Sequence, residues 1–181
     1  MSRLHRMGIV LVCALILTSV PVPEWHAAVM YGIDALPAMV RDSEVIVVGE
    51  VTAVAEPSSG YRSVTVRVID LWKGVMVSEL KFGISVARLG CDTSDAQLGE
   101  TVVLFLGNRQ AGDQLVIMLE GRGRMAVLGP KEERVVLLTF PKPAQLCAEP
   151  TRIPGKGMAS GAKLSNLKEY VASVLRAETT N

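Results

Sequence analysis

The chain has 181 residues, of which 19 are basic and 18 acidic, and 49% are hydrophobic. This near-neutral balance, without basic runs, disfavours nucleic acid or an anionic membrane as the main partner, because both are bound through patches of Lys and Arg. Aromatic residues make up only 4% of the chain, which also disfavours the stacking of bases on an aromatic surface.

The first 28 residues predict a signal peptide. Arg3 and Arg6 form a positive segment, residues 9–20 form a short apolar segment, and two alanines end the stretch. The apolar segment is about a dozen residues long, whereas a membrane-spanning helix needs roughly 20. We therefore expect residues 29–181 to be exported as a single domain without a stable membrane span, to the periplasm, the cell surface or the medium. An uncleaved anchor and cleavage after Ser19 are the alternatives.

Cleavage after Ala28 would remove both histidines of the chain, His5 and His26. A Ser-His-Asp triad, a Cys-His pair and a His-containing zinc site each need an imidazole, so the exported chain would have none of them. Export also disfavours cytosolic redox chemistry and ATP-dependent chemistry. We expect no enzyme activity, cofactor or metal, and the catalytic alternative is a carboxylate pair. The candidate carboxylates are Asp92, Asp95 and Glu100.

The first predicted elements are a short helix and a strand. Residues 34–43 predict a helical turn, since Asp34 can cap it and Pro37 is tolerated in a first turn. The next segment, residues 45–54, has β-branched side chains on both faces. We expect a strand that is buried on both sides or curves around a small barrel.

Residues 61–73 contain the strongest indication of the fold. Three valines alternate with polar residues as far as Val68, and the apolar phase then shifts by one residue, so that Ile69 and Leu71 continue it. A shift of one residue predicts a β-bulge, which lets one long strand take part in both halves of a small closed barrel.

Further short strands follow. Residues 80–86 alternate, residues 101–106 and 114–119 predict a hairpin, and residues 125–128 and 134–140 predict another pair of strands. Several short strands at close spacing indicate an all-β sandwich or barrel.

In the C-terminal part of the chain, the spacing of apolar residues changes from that of strands to that of a helix. Residues 155–163 predict a flexible linker, because their Gly and Lys residues lack the Gly-Lys-Ser or Gly-Lys-Thr of a phosphate loop. The helix predicted over about 164–177, with Ser165 or Asn166 as its cap, packs on the barrel, and a partner-binding helix is the alternative. Its apolar stripe consists of Leu167, Tyr170, Val171, Val174 and Leu175.

Cys91 and Cys147 are the two cysteines that remain after processing. An even pair in an exported chain predicts a disulfide, which would close a loop of about 55 residues and stabilise the fold by roughly 3–4 kcal/mol. A thiol nucleophile is the alternative, although the chain offers neither a nearby His nor a C-x-x-C motif to activate it.

Part of the chain resembles a known family. The segments that carry the resemblance are 43–51 (SEVIVVGEV), 64–68 (VTVRV), 72–74 (WKG), Cys91 and 99–106 (GETVVLFL). They are similar to the bacterial relatives of the tissue inhibitors of metalloproteinases and the netrin module, over roughly residues 36–119. The resemblance implies a five-stranded OB barrel with flanking helices. Members of that family chelate the protease zinc through a cysteine at the mature N-terminus, and this chain has no cysteine at any predicted cleavage site, so the resemblance carries the fold only.

We therefore expect a mainly β fold: a small OB-fold-like closed barrel with a short N-terminal helical turn and a C-terminal amphipathic helix. The expected function is that of an exported, non-catalytic module that binds a protein or polymer at the cell envelope. The alternatives are a carboxylate-dependent secreted enzyme and a protease-inhibitor-like protein that does not use N-terminal zinc chelation. The candidate ligand surface consists of Tyr61, Trp72, Arg122 and Arg124, although a solvated hairpin tip is the alternative for the two arginines.

Overall fold

The computed structural model describes residues 35–56, 60–85, 96–110, 114–139, 143–153 and 157–180. Two α-helices flank the strands in these ranges. In chain order the elements are α1 (Ala35–Asp42), β1 (Val45–Val54), β2 (Tyr61–Lys73), β3 (Glu79–Ser85), β4 (Thr101–Gln110), β5 (Gln114–Ile117), β6 (Arg124–Leu128), β7 (Val135–Leu137), β8 (Ala148–Ile153), β9 (Gly157–Lys163) and α2 (Leu164–Thr179).

Strands β1 to β5 form a closed barrel. Their order around it is β1-β2-β3-β5-β4, and β4 pairs back onto β1. The β3–β5 pair is parallel, with Phe82 opposite Leu115, and the other pairs are antiparallel. The predicted mainly β fold with a small OB-fold-like barrel and two flanking helices is confirmed.

The barrel interior is one of two hydrophobic cores. Because side chains alternate along a strand, every second residue of each barrel strand points inward. The buried residues of this interior core are Val47, Val51, Val64, Val66, Leu80, Phe82, Ile84, Ala96, Val102, Leu104, Leu106, Leu115 and Ile117.

The second core, which we call the outer core, lies on the opposite face of β1 and β4. Ile46 and Val48 of β1 and Val103 and Phe105 of β4 are buried there against both helices and the later strands. The two cores explain why β1 and β4 are apolar on both faces, as the sequence predicts for β1.

Helix α2 covers the outer core with the predicted stripe. Leu167, Tyr170 and Val171 are buried in it, so the helix packs on its own barrel. The predicted caps, Ser165 and Asn166, are wrong, because the helix begins at Leu164 directly after β9 and has no side-chain cap. Instead, the Leu164 N–H donates to the carbonyl of Arg134 at 2.9 Å, so the preceding sheet satisfies the start of the helix.

The predicted bulge in β2 is confirmed. Gly49 pairs with Val68 and the preceding residue of β1 pairs with Asp70, so that Ile69 is skipped. The prediction that Ile69 continues the apolar face is wrong, because this extra residue is 47% exposed. Leu71 does pack against the interior core. The bulge therefore turns one apolar side chain of β2 towards solvent.

Strands β6 to β9 extend the sheet beyond the barrel. Strand β6 pairs with the first half of β4, and β7, β9 and β8 follow in that order. The predicted strand over 134–140 is shorter, since β7 spans Val135–Leu137. The predicted hairpin turn after residue 106 begins later, because β4 continues to Gln110.

The predicted linker before α2 is wrong, because Gly157–Lys163 forms β9, between β7 and β8. Its small residues serve close packing. A Cβ atom added to Gly161 would lie 2.2 Å from Thr151 Oγ1 and 2.6 Å from Val135 Cγ1. The neighbouring side chains therefore require a glycine at this position. From the sequence alone, a glycine needed for close packing looks the same as a glycine in a flexible linker.

Within the described ranges, no helix combines the length and apolar character that crossing a membrane would require.

Candidate functional site

The connection between β2 and β3 exposes a cluster of apolar side chains. We call Val75, Met76 and Val77 the β2–β3 tip. Val75 is 80% exposed and Met76 76% exposed. Three of the six exposed large hydrophobic side chains among the described residues belong to this tip. Exposed apolar residues scattered singly are ordinary, whereas contiguous exposed apolar patches are typical of interaction surfaces.

The pairing of the strands accounts for this exposure. Strands β2 and β3 pair only as far as Arg67 and Glu79, and the Val68 N–H donates to the Ser78 carbonyl at 2.9 Å. Beyond that point β2 pairs with β1 only. Residues 74–78, which connect β2 to β3, therefore lie outside both strands. Within the described residues, neither core includes Val75, Met76 or Val77.

The base of the tip is held by α1. The Lys73 ammonium donates to the carbonyls of Val40 at 3.0 Å and Arg41 at 2.6 Å, in the last turn of that helix. A cation at this position satisfies carbonyls that have no partner inside the helix. Gly74 adopts a φ of 109° and lies against Glu44, whose carbonyl oxygen would be 3.1 Å from an added Cβ. The tip therefore projects from a fixed base.

Trp72, a predicted ligand residue, lies beside the tip but packs on the outer core. Its indole Nε1–H donates to Asp70 Oδ2 at 2.9 Å, and the same oxygen accepts from Lys168 Nζ at 2.7 Å. Asp70 thus links β2 to α2, and the Trp72 N–H is used within β2.

Tyr61, the second predicted ligand residue, lies at the other end of β2, opposite Ser85. A strand rises about 3.3 Å per residue, so Tyr61 and Trp72 are separated by roughly 35 Å along β2. The structure does not bring these two aromatic side chains together.

The predicted arginine pair is divided between two structural contacts. Arg122 donates from NH1 to the Thr139 carbonyl at 3.0 Å, and the Thr139 hydroxyl donates back to the Arg122 carbonyl at 2.6 Å. Arg124 is buried, donates from Nε to Glu100 Oε1 at 3.1 Å and contacts both carboxylate oxygens through NH2. Glu100 also accepts from the Gln97 N–H at 2.9 Å. One candidate catalytic carboxylate is therefore engaged in a buried ion pair.

Other predicted features fall outside the described residues. These are the signal peptide at 1–28, Cys91, Asp92 and Asp95. Cys147 is exposed and carries a free thiol. The disulfide and the carboxylate pair therefore stay predictions. Among the residues that the structure describes, no group of three His, Cys, Asp or Glu side chains is placed to hold a metal ion.

A second surface feature is a groove of about 350 Å³ between the two helices, which we call the α1–α2 groove. The first turn of α1, the segment that follows residue 142 and the C-terminal half of α2 form its walls. Its apolar lining consists of Pro37, Pro143, Ala144, Tyr170, Val174 and Ala177.

Sequence reasoning missed the tip, although a signal was present. Val75, Met76 and Val77 are three consecutive apolar residues between Gly74 and Ser78, in a turn that links two alternating strands. A run of this kind outside any periodic element is unusual on a soluble surface unless it serves a function. The groove has no comparable signal, because its lining comes from three separate segments.

No protein-family model matches the chain, and a comparison with curated proteins finds no match.

Proposed function

We propose that this protein is an exported, non-catalytic binding module that contacts a protein or polymer at the cell envelope through the β2–β3 tip. The observation that carries the proposal is the exposure of Val75 and Met76 on a base fixed by Lys73. An apolar cluster that is held in place and exposed to water loses little conformational entropy when a partner covers it.

The chemistry around the tip suits a binding contact. Interfaces commonly have a few apolar anchors that are fully covered by the partner and a polar rim that excludes water. Here Glu44 and Glu79 are exposed next to the apolar cluster, and Arg67 is paired with Glu50 further along the sheet. Burying one Val and one Met would contribute about 3–6 kcal/mol before the cost of association is subtracted.

The barrel face next to the tip does not favour nucleic acid. Ser63, Thr65 and Arg67 alternate with the buried valines of β2 and therefore lie on its outer face, opposite Lys81 and its neighbours on β3. Barrels that bind single-stranded nucleic acid stack bases on several aromatic side chains. Tyr61, at the far end of β2, is the one aromatic residue on this part of the described surface.

The relationship to the inhibitor and netrin family is part of the proposal. The strand order and the two flanking helices support an OB-type barrel over the resembling segments. Many unrelated proteins use such barrels, so the barrel supports neither zinc chelation nor any particular ligand. Export is proposed from the pattern of residues 1–28 alone.

The proposal is tested by capture experiments with the exported protein. The wild type, a tip variant (Val75→Ser, Met76→Ser and Val77→Ser) and a control variant (Met158→Ser) are immobilised and incubated with solubilised envelope components. Met158 is 64% exposed on β9, so the control removes an exposed apolar group elsewhere. We expect the tip variant to lose at least about tenfold in captured material and the control to match the wild type. Equal capture by all three proteins, or by none, would contradict the proposal.

A further inference from the structure

We propose that oxidation of Met76 to methionine sulfoxide is a reversible switch that weakens binding through the β2–β3 tip. The inference rests on the proposed function, because it assigns a means of regulation to the same tip. It depends on the exposure and the chemistry of one side chain.

Exposure to solvent separates the five methionines of the described residues into two groups. Met39 and Met125 are 1% and 0% exposed, and Met118 is partly buried against the outer core. Met76 is 76% exposed and Met158 is 64% exposed. A dissolved oxidant must reach the sulfur atom to react with it, so Met76 and Met158 are the accessible targets among these five methionines.

The reaction is a two-electron oxidation by a peroxide. A lone pair of the Met76 thioether sulfur attacks one oxygen of hydrogen peroxide, the O–O bond breaks, and the second oxygen leaves as water with both protons. The sulfur is oxidised and the peroxide is reduced, which converts an apolar thioether into a polar sulfoxide. Methionine sulfoxide reductases reverse the change with two electrons from a pair of thiols, which become a disulfide while the oxygen leaves as water.

The place of Met76 in the tip determines what the sulfoxide changes. Residues 74–78 lie outside both strands, and neither core includes Met76 within the described part of the chain. The sulfoxide therefore stays in water in the free protein, and we expect the fold to keep its stability. A partner that covers Met76 with apolar groups would have to bury a polar S=O group without a hydrogen bond, which is unfavourable.

Met76 is also the one residue of the tip that an oxidant of this kind can change, since Val75 and Val77 have only aliphatic side chains. The base of the tip does not depend on the sulfur, because Lys73 is bound to backbone carbonyls of α1. Export, which is proposed above, would place the tip in an oxidising environment. Oxidation of Met76 would thus change the contact surface and leave its support intact.

The first part of the test is peptide mapping of the wild-type protein by mass spectrometry after treatment with hydrogen peroxide. We expect Met76 and Met158 to be oxidised at least about tenfold faster than Met39 and Met125, because the buried sulfurs react only after local opening of the fold. Circular dichroism checks that the oxidised protein is folded. Oxidation of Met76 at the rate of the buried methionines, or loss of the fold on oxidation, would overturn the inference.

The second part repeats the capture of solubilised envelope components with the wild type, Met76→Leu and the matched control Met158→Leu. Each protein is used untreated and after peroxide treatment, with the peroxide removed before incubation. Leucine keeps the apolar character and approximate size of methionine and does not form a sulfoxide. We expect the three untreated proteins to capture alike. Peroxide should lower capture by the wild type and Met158→Leu at least about tenfold and leave Met76→Leu unchanged, and methionine sulfoxide reductases with a thiol should restore capture.

The outcomes separate the switch from the proposed function. Capture by the wild type that peroxide does not lower, or that it lowers equally in Met76→Leu, would overturn the switch and leave the proposed function standing. Absence of capture by the untreated wild type would contradict the proposed function itself, and the switch with it.

Discussion

Arg124 of β6 forms a buried ion pair with Glu100, the residue that precedes β4. The side chains are 7% and 19% exposed, and the guanidinium contacts both carboxylate oxygens. The pair joins the first strand of the sheet extension to the barrel. Arg124 was a candidate ligand residue and Glu100 a candidate catalytic carboxylate, and the two are partners in one structural contact.

We predict that Arg124→Met destabilises the protein by about 3–5 kcal/mol, because it leaves the Glu100 carboxylate buried without its cation. Urea denaturation followed by circular dichroism measures the change. Arg67→Met is the matched control, since the exposed Arg67–Glu50 pair should contribute no more than about 1 kcal/mol. Similar losses in the two variants would show that the buried pair has no special role.

Lys73→Met should loosen the base of the β2–β3 tip. The change removes two charge-assisted hydrogen bonds to the last turn of α1 but keeps most of the aliphatic side chain. We expect a loss of about 1–2 kcal/mol and faster hydrogen exchange of residues 74–78, measured by mass spectrometry. Unchanged exchange in this segment would mean that Lys73 does not hold the tip.

Gly161→Ala should destabilise the β8–β9 hairpin. Its new Cβ atom would overlap Thr151 and Val135, and overpacking of this kind costs about 1–3 kcal/mol. Thermal unfolding measures the loss. Adding Thr151→Ala removes the closest contact, so the double variant should recover part of the stability of the single variant. No difference between the single and double variants would show that this contact does not cause the loss.

Export and the predicted disulfide are tested by the intact mass of the secreted protein. We predict a chain that begins near Val29 and gains the mass of two hydrogens on reduction, from a bond between Cys91 and Cys147. Cys147 is exposed, so its sulfur is accessible for this pairing. A full-length mass, or no change on reduction, would contradict the signal peptide or the disulfide respectively.

The barrel strands were predictable because the residues that favour a strand locally are also the residues that the two cores bury. The bounds of β1 and β2 match their apolar runs, which turn residues separate, and the phase shift after Val68 marks the bulge. The direction in which the Ile69 side chain points was not predictable, because the extra residue of a bulge has no partner on the next strand and its orientation depends on the surrounding structure. Likewise, β8 contains Pro150 and β9 is rich in small residues, so neither has an apolar alternation typical of a strand.

The candidate site was less predictable than the fold. Trp72 and Arg124 were chosen for residue type, but a large amphipathic side chain serves packing or ion pairing as readily as ligand binding, and only its three-dimensional neighbours distinguish these roles. The same holds for the tip. Val75 and Met76 are ordinary core residue types, and their exposure follows from the early end of the β2–β3 pairing.

The most direct test of the central claim, that the β2–β3 tip is the contact surface, is photo-crosslinking in living cells. A photoreactive amino acid replaces Met76 in one variant of the exported protein and Met158 in another, and the masses of the adducts are compared. We predict discrete adducts from position 76 with an envelope component, and none from position 158. No adduct from position 76, or equal adducts from both positions, would contradict the account.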